Sequence, residues 1–209
     1  MAECFRFDEV SLRLDGRPVL DRVSCVIPEG GITVVAGPSG SGKSTLLRLC
    51  NRLEVPTSGR VRYRGADLAG LDPVAHRRAV GMVFQRPTPF PGTGADNLAA
   101  AGVDDPAEAA TLLARAGLDD SFLDRTTDHL SGGEAQRLCL ARTLATGCSV
   151  LLADECTSAL DPDATRVLEE LARDLADAGT TVVWVTHDRA QADRLADRRL
   201  LMEAGRVRG

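Results

Sequence analysis

The residues Gly37-Pro38-Ser39-Gly40-Ser41-Gly42-Lys43-Ser44 fit the spacing G-x-x-x-x-G-K-[ST]. They follow an apolar run, Ile32 to Ala36, and precede residues with helical spacing, the setting in which such a loop holds phosphate. Glycines let the backbone wrap closely round phosphate groups and point successive N–H groups inward. Lys43 is suited to neutralise terminal phosphate oxygens, and the Ser44 hydroxyl, with Thr45 behind it, to reach a magnesium ion. The ligand that this chemistry fits is ATP with Mg2+.

Two carboxylates, Asp154 and Glu155, end the apolar run Val150-Leu151-Leu152-Ala153. Two acids at one strand end suit two tasks. Asp154 can hold the magnesium shell, and Glu155, on the opposite pleat, can act as general base on an attacking water. His187 follows another apolar run, Thr181 to Thr186, and imidazole there can donate to a phosphate as charge develops. Asp188 beside it reads better as a helix N-cap. Gln85 ends the run VGMVF, where its amide is in reach of metal and water. Ser131, Gly132 and Gly133 open LSGGEAQR; Ser131 with Glu134 makes a capping box, and the N–H groups there form a second anion-seeking helix end.

The elements that must position these groups are legible too. Residues 4 to 35 alternate short β-like runs (FRF, VSLRL, SCVIP) with turns at Asp15-Gly16 and Glu29-Gly30-Gly31, which predicts a small antiparallel sheet. A helix is expected over Ser44 to Leu53 and another over Pro73 to Arg78. Further helices are expected from about Gly133 to Ala145 and over Pro162 to Ala178, with strands at Ser149 to Ala153 and Thr181 to Val185. Strands alternating with helices predict an α/β fold with a parallel sheet, whose ligands sit beyond the strand carboxyl ends. Arg86 to Gly94 is rich in Pro and Gly, and Asn97 to Asp128 is rich in Ala, Leu and Asp at helical spacing, so an inserted helical lobe is expected.

The 209 residues allow one sizeable domain with an aliphatic core, and the net charge of −5 provides no basic field for nucleic acid. Arginine clusters at 60–64, 77–78 and 198–199 read as solvated surface. The six cysteines show neither C-x-x-C pairs nor metal-ligand spacing and read as small hydrophobes in a reducing compartment. The opening MAECFRFDEV lacks the regions of a signal peptide, and runs such as VVA and VLLA are too short to span a bilayer. A cytoplasmic chain is expected.

In order across nearly the whole chain these motifs resemble those of the ATP-binding cassette (ABC) family: Walker A GPSGSGKS, glutamine loop VFQ, signature LSGGEAQR, Walker B VLLADE, D-loop SALD, and the switch histidine in VTHD. The resemblance implies a P-loop NTPase core with an N-terminal antiparallel β subdomain and an inserted α-helical subdomain. All of 1–209 would be one ABC ATPase domain, with an α/β body at 1–85 and 134–209 and the lobe at 86–133. It implies ATP hydrolysis by a head-to-tail dimer, a homodimer here, in which Ser131 to Gly133 of one subunit close over ATP on Gly37 to Ser44 of the other, with Asp161 near the shared interface. It implies catalysis by Glu155, His187 and Gln85, with Ser44, Gln85 and Asp154 at the metal. Integral membrane permease subunits would contact residues 86–98, leaving the chain peripheral on the inner face of the cell membrane. The stretches NRLEVPTSGRV, VGMVFQRPTPFPGT and DNL look like those of cassettes serving metal-related or phosphate transporters, and the stop at Gly209 is most similar to short iron-export or efflux-type subunits. Two departures stand out. Leu14 occupies the place of an adenine-stacking tyrosine, and Cys156 stands where the family commonly has proline, a change expected to make the site thiol-sensitive. The competing readings are a soluble, non-transport ABC ATPase, against which the lack of tandem cassettes or zinc inserts argues, and a module that binds ATP without cleaving it, against which Glu155 and His187 argue.

Overall fold

The computed structural model describes residues 2–208. Two sheets organise the chain. A four-stranded antiparallel sheet, in the order β2-β1-β4-β5, is built from β1 (Glu3–Leu14), β2 (Arg17–Pro28), β4 (Ser58–Tyr63) and β5 (Ala66–Asp67). The six-stranded sheet runs β10-β9-β3-β8-β7-β6, with β3 (Ile32–Ala36), β6 (Val80–Val83), β7 (Val150–Asp154), β8 (Thr181–Thr186), β9 (Arg198–Glu203) and β10 (Arg206–Arg208). All neighbours in it are parallel except β10, which turns back antiparallel on β9.

The FRF and VSLRL runs join into one strand, β1, instead of remaining separate. Glu9 makes this possible by adopting φ 49, a left-handed conformation that bulges the strand. Its backbone N–H donates to Ser24 Oγ, whose hydroxyl donates back to the Glu9 carboxylate.

The period-2 alternation of the central strands divides the interior in two. Ile32 and Val34, Leu151 and Ala153, and Val182 and Trp184 face a core shared with α5 (Gly132–Ala145), α6 (Pro162–Asp177) and the lobe. Val35, Val150, Leu152, Val183 and Val185 face the other core, shared with α1 (Lys43–Cys50) and the antiparallel sheet. Burial on both faces explains why β3, β7 and β8 read as unbroken apolar runs.

Helix α1 stops at Cys50, short of the expected Leu53, because Asn51 closes it and Arg52 turns left-handed at φ 58. Residues 86–133 carry α3 (Gly94–Ala99), α4 (Pro106–Arg115) and short 3-10 turns, and Leu112, Leu113, Leu118 and Phe122 join the core that α5 also lines. Helix α2 (Pro73–Ala79) precedes β6, and α7 (Arg189–Leu195) follows β8.

Candidate active site

Parallel pairing brings three loops to one edge. Asp154 is opposite Val185, and Ala36 is opposite Thr186, so the residues after β3, β7 and β8 emerge together at the strand carboxyl ends.

After β3, the glycine loop leads into α1. Among the described residues six of the seven α-helices, α2 to α7, are capped by a side chain: Asp72, Thr93, Asp105, Ser131, Asp161 and Asp188. Helix α1 is the exception; it begins at Gly42 with no side-chain cap and no acid in its first turn. Its N–H groups and positive dipole end are therefore left for an external anion. Two loop positions call for glycine, Gly37 by close packing on backbone and Gly42 by its left-handed φ of 100. A Cβ on Gly37 would lie 2.1 Å from the Met202 carbonyl oxygen, and one on Gly42 would lie 2.8 Å from Leu20 Cδ2. Lys43 is buried, and its ammonium donates to the carbonyls of Gly37 and Pro38, both at 3.0 Å. The buried Ser41 hydroxyl has no partner among the described residues.

Asp154 at the end of β7 is 4% exposed, and it accepts a hydrogen bond of 2.7 Å from Ser44 Oγ. Burial pushes its carboxyl above the usual carboxylate range, against the opposing pull of that hydroxyl. A buried acid whose close partner is a neutral hydroxyl gains from a divalent cation. No cluster of three His, Cys, Asp or Glu side chains suited to a metal exists among the described residues. Magnesium takes one or two carboxylates beside substrate phosphates, and the buried Asp154 beside Ser44 can supply one. The residues thus fit both groups, a polyphosphate on the loop and its metal between Ser44 and Asp154.

Glu155 is where the remaining groups converge. Gln85 Nε2 donates to its Oε2 at 3.2 Å, His187 Nδ1 lies 3.2 Å from the same oxygen, and Lys43 Nζ lies 3.6 Å from Oε1. Gln85 and His187 are exposed, so this cluster opens to solvent. Strand β7 has already ended at Asp154, and Glu155 takes φ 45, a left-handed turn that directs its carboxylate.

Ser131, Gly132 and Gly133 sit apart from this cluster. Ser131 and Gly132 are exposed at the start of α5, and no hydrogen bond joins residues 131–133 to the phosphate loop among the described residues. The capping box forms: Ser131 Oγ accepts from Glu134 N–H, and the Glu134 carboxylate accepts from Ser131 N–H. A Cβ on Gly133 would meet Leu160 Cδ2 at 3.2 Å, so the helix start packs on the segment that follows Glu155. Asp188 caps α7 as expected, and Asp161 caps α6 with Pro162 at its first turn.

Cys156 corrects an expectation. It is buried, and burial pushes its thiol up to about 12, so it packs as an apolar side chain and not as a reactive one. Leu14 packs, partly buried, against the core beneath the antiparallel sheet.

Several residues that organise the site had no reading of their own in the sequence. Gln136 of α5 is buried and donates to the Phe84 carbonyl at 2.8 Å, tying the helix to the residue before Gln85. Buried Asn97 holds the Pro-rich segment through Phe90 N–H, Phe90 O and Thr93 O. Arg142 reaches Asn97 and Thr88 and lies 4.1 Å over the Phe90 ring. The signal for all three was a polar residue at a core-facing helix position.

Comparison with known proteins gives a consistent result. The family profile described as "ABC transporter" matches residues 20–158, more than half of the chain. The phosphate import ATP-binding protein PstB 2 of Mycobacterium tuberculosis (strain ATCC 25618 / H37Rv) is 45% identical, over 95% of this chain and 78% of its own length. The putative ABC transporter ATP-binding protein YjkB of Bacillus subtilis (strain 168) is 42% identical over 97% of this chain and 84% of its own. Among solved structures, a bacterial Atm1-family ABC exporter with ATP bound superposes with a TM-score of 0.90 at 30% identity, covering 100% of this chain and 38% of that one. The cbiO1 protein from Clostridium perfringens, part of the ABC transporter complex cbiONQ, gives a TM-score of 0.86 at 26% identity, covering 100% and 88%.

Proposed function

This chain belongs to the ABC transporter family, and on that premise we propose that it works as one half of a homodimer whose two ATP sites are each completed by the other subunit. As an ATP-binding subunit of a transporter it is an ATPase. The observation that carries the catalytic assignment is the convergence of Gln85, His187 and Lys43 on the Glu155 carboxylate.

In this reading Gly37, Pro38, Ser39, Gly40, Ser41 and Gly42 wrap the phosphates with backbone N–H groups, and Lys43 balances the charge of the terminal one. Ser44, Asp154 and the Gln85 side-chain oxygen would hold magnesium, which supplies charge neutralisation at the phosphate oxygens when bound. Glu155 orients a water and accepts its proton as the water oxygen attacks the γ-phosphorus and the bond to the ADP oxygen breaks. His187 donates to the developing negative charge on the transferred group. ATP and water give ADP and phosphate. Thr45 extends the loop's contact with the phosphates.

Ser131, Gly132 and Gly133, unbonded to their own phosphate loop, offer the Ser131 hydroxyl and the N–H groups of Gly132 and Gly133 at the start of α5 to nucleotide on the partner. The integral membrane subunits dock on the segment 86–98. Supporting this, Phe90 is exposed within the segment and Phe84 just before it, and Phe90 lines a cleft of about 230 Å3 with Arg77, Met82, Ala100 and Arg142. No helix among the described residues is long and apolar enough to cross a membrane. We place the chain at the cytoplasmic face of the membrane, with no nucleic-acid partner. The cargo is chosen by the membrane subunits, and the phosphate import relative makes inorganic phosphate the first one to assay.

Mixing tests the composite site. Lys43→Ala and Ser131→Arg variants are each expected to be inactive, and their mixture is expected to regain hydrolysis at the one intact site of each mixed dimer. A mixture as silent as its components overturns independent sites completed in trans.

A further inference from the structure

The turn between Glu155 and Asp161 carries the proposed base at one end and the α6 cap at the other, yet few backbone bonds secure it. Glu155 N–H donates to Val185 O at 3.2 Å, and two short turns close at Ser158 and Leu160. Glu155 itself holds a left-handed φ of 45, a conformation that a non-glycine residue keeps only when its surroundings enforce it.

One buried side chain reaches this turn from the opposite wall. Gln191 of α7, 4% exposed, donates from Nε2 to Thr157 Oγ1 at 3.0 Å and to Glu169 Oε1 at 3.0 Å. Its Oε1 accepts from Trp184 Nε1 at 3.2 Å. Both amide hydrogens and the carbonyl are thereby used. Glu169 of α6 is in turn held by Arg194 through two bonds of 3.0 and 2.7 Å. The network walls a cleft of about 630 Å3 that is also lined by Glu155 and His187.

We infer that Gln191 is a positioning residue for hydrolysis: through Thr157 it fixes the turn that aims Glu155, and through Trp184 it fixes that turn relative to the strand that delivers His187. The inference rests on the assignment of Glu155 as base. Satisfying the buried Trp184 and Glu169 groups would explain Gln191 as a core residue, but it does not require the bond to Thr157. That bond adds a side-chain tie from the core to the catalytic turn beside the Glu155 N–H bond to Val185, and a half-buried threonine hydroxyl has water as a substitute.

The test therefore cuts at Thr157 and leaves Gln191 with its other partners. Thr157→Val is expected to lower kcat about tenfold while KM for ATP stays within about twofold, as misplacement of a reacting group does. Thr157→Ser, which keeps the hydroxyl, is expected to restore the rate. Trp184 is the chain's only tryptophan, so unchanged emission and Tm in Thr157→Val would show that the core is intact. In a double-mutant cycle, Gln191→Leu and Thr157→Val are expected to cost little more together than singly. Wild-type kcat in Thr157→Val, an equal loss in Thr157→Ser, or additive losses would overturn the inference. Glu155→Gln is assayed alongside: if it turns over normally, the base assignment has failed; if it is silent while Thr157→Val is normal, only the role of Gln191 has.

Discussion

The Lys43 ammonium lies 3.6 Å from the Glu155 carboxylate, joining the glycine loop to the residue after β7 beside the Ser44–Asp154 hydrogen bond. Both side chains are largely shielded, with 4% and 16% of their surfaces exposed. In the proposed mechanism the group that would balance the terminal phosphate and the group that would take the water's proton are thus set within one contact of each other. A substitution at either acts on both, so their effects on hydrolysis are expected not to add.

Gly37 is expected to tolerate no side chain. The Cβ of Gly37→Ala would lie 2.1 Å from a backbone oxygen, that of Met202, so the loop has to move. Overpacking of this kind costs about 1–3 kcal/mol. Binding of a fluorescent ATP analogue is expected to weaken about tenfold or more, since the loop's N–H groups lose their aim. Undiminished binding with an unchanged Tm would contradict the close approach.

The cap of α5 gives a pH dependence with a definite sign. The Ser131 backbone N–H, then its hydroxyl and Arg125, hold the Glu134 carboxyl at about 2, against an ordinary 4.5. Because the folded value is the lower one, ionised Glu134 contributes stability above pH 4.5, and that contribution is lost as pH falls toward 2. Wild type is therefore expected to melt above Glu134→Gln at neutral pH, with the gap closing over that window. A gap independent of pH across it would remove the ionised cap from the account.

The motifs of the candidate site were legible because each combines a fixed residue type with an apolar strand that delivers it. The runs before Gly37, Asp154 and His187 became β3, β7 and β8, side by side. Less visible was whatever depends on a single backbone angle. The left-handed Glu9 that fuses two runs into β1 and the left-handed Arg52 that follows α1 leave no periodic trace. Cys156 shows the limit from the other side: its place beside Glu155 suggested thiol sensitivity, whereas the packed structure buries it, in line with reading the cysteines as small hydrophobes. Buried polar residues such as Gln136, Asn97 and Gln191 look like surface residues until their partners, dozens of positions away for Gln136, are known. Strands β9 and β10 went unread because the arginines 198, 199, 206 and 208 mask their short apolar alternation.

The most direct measurement is ATP binding and steady-state hydrolysis by Glu155→Gln. The substitution keeps the size of the side chain and removes its capacity to accept the water's proton. Binding is expected to persist, with ATP holding the variant as a dimer on size exclusion, while kcat falls by about 10²–10⁴-fold. Turnover within a few-fold of wild type would contradict Glu155 as the base, and with it the account of the site built round that carboxylate.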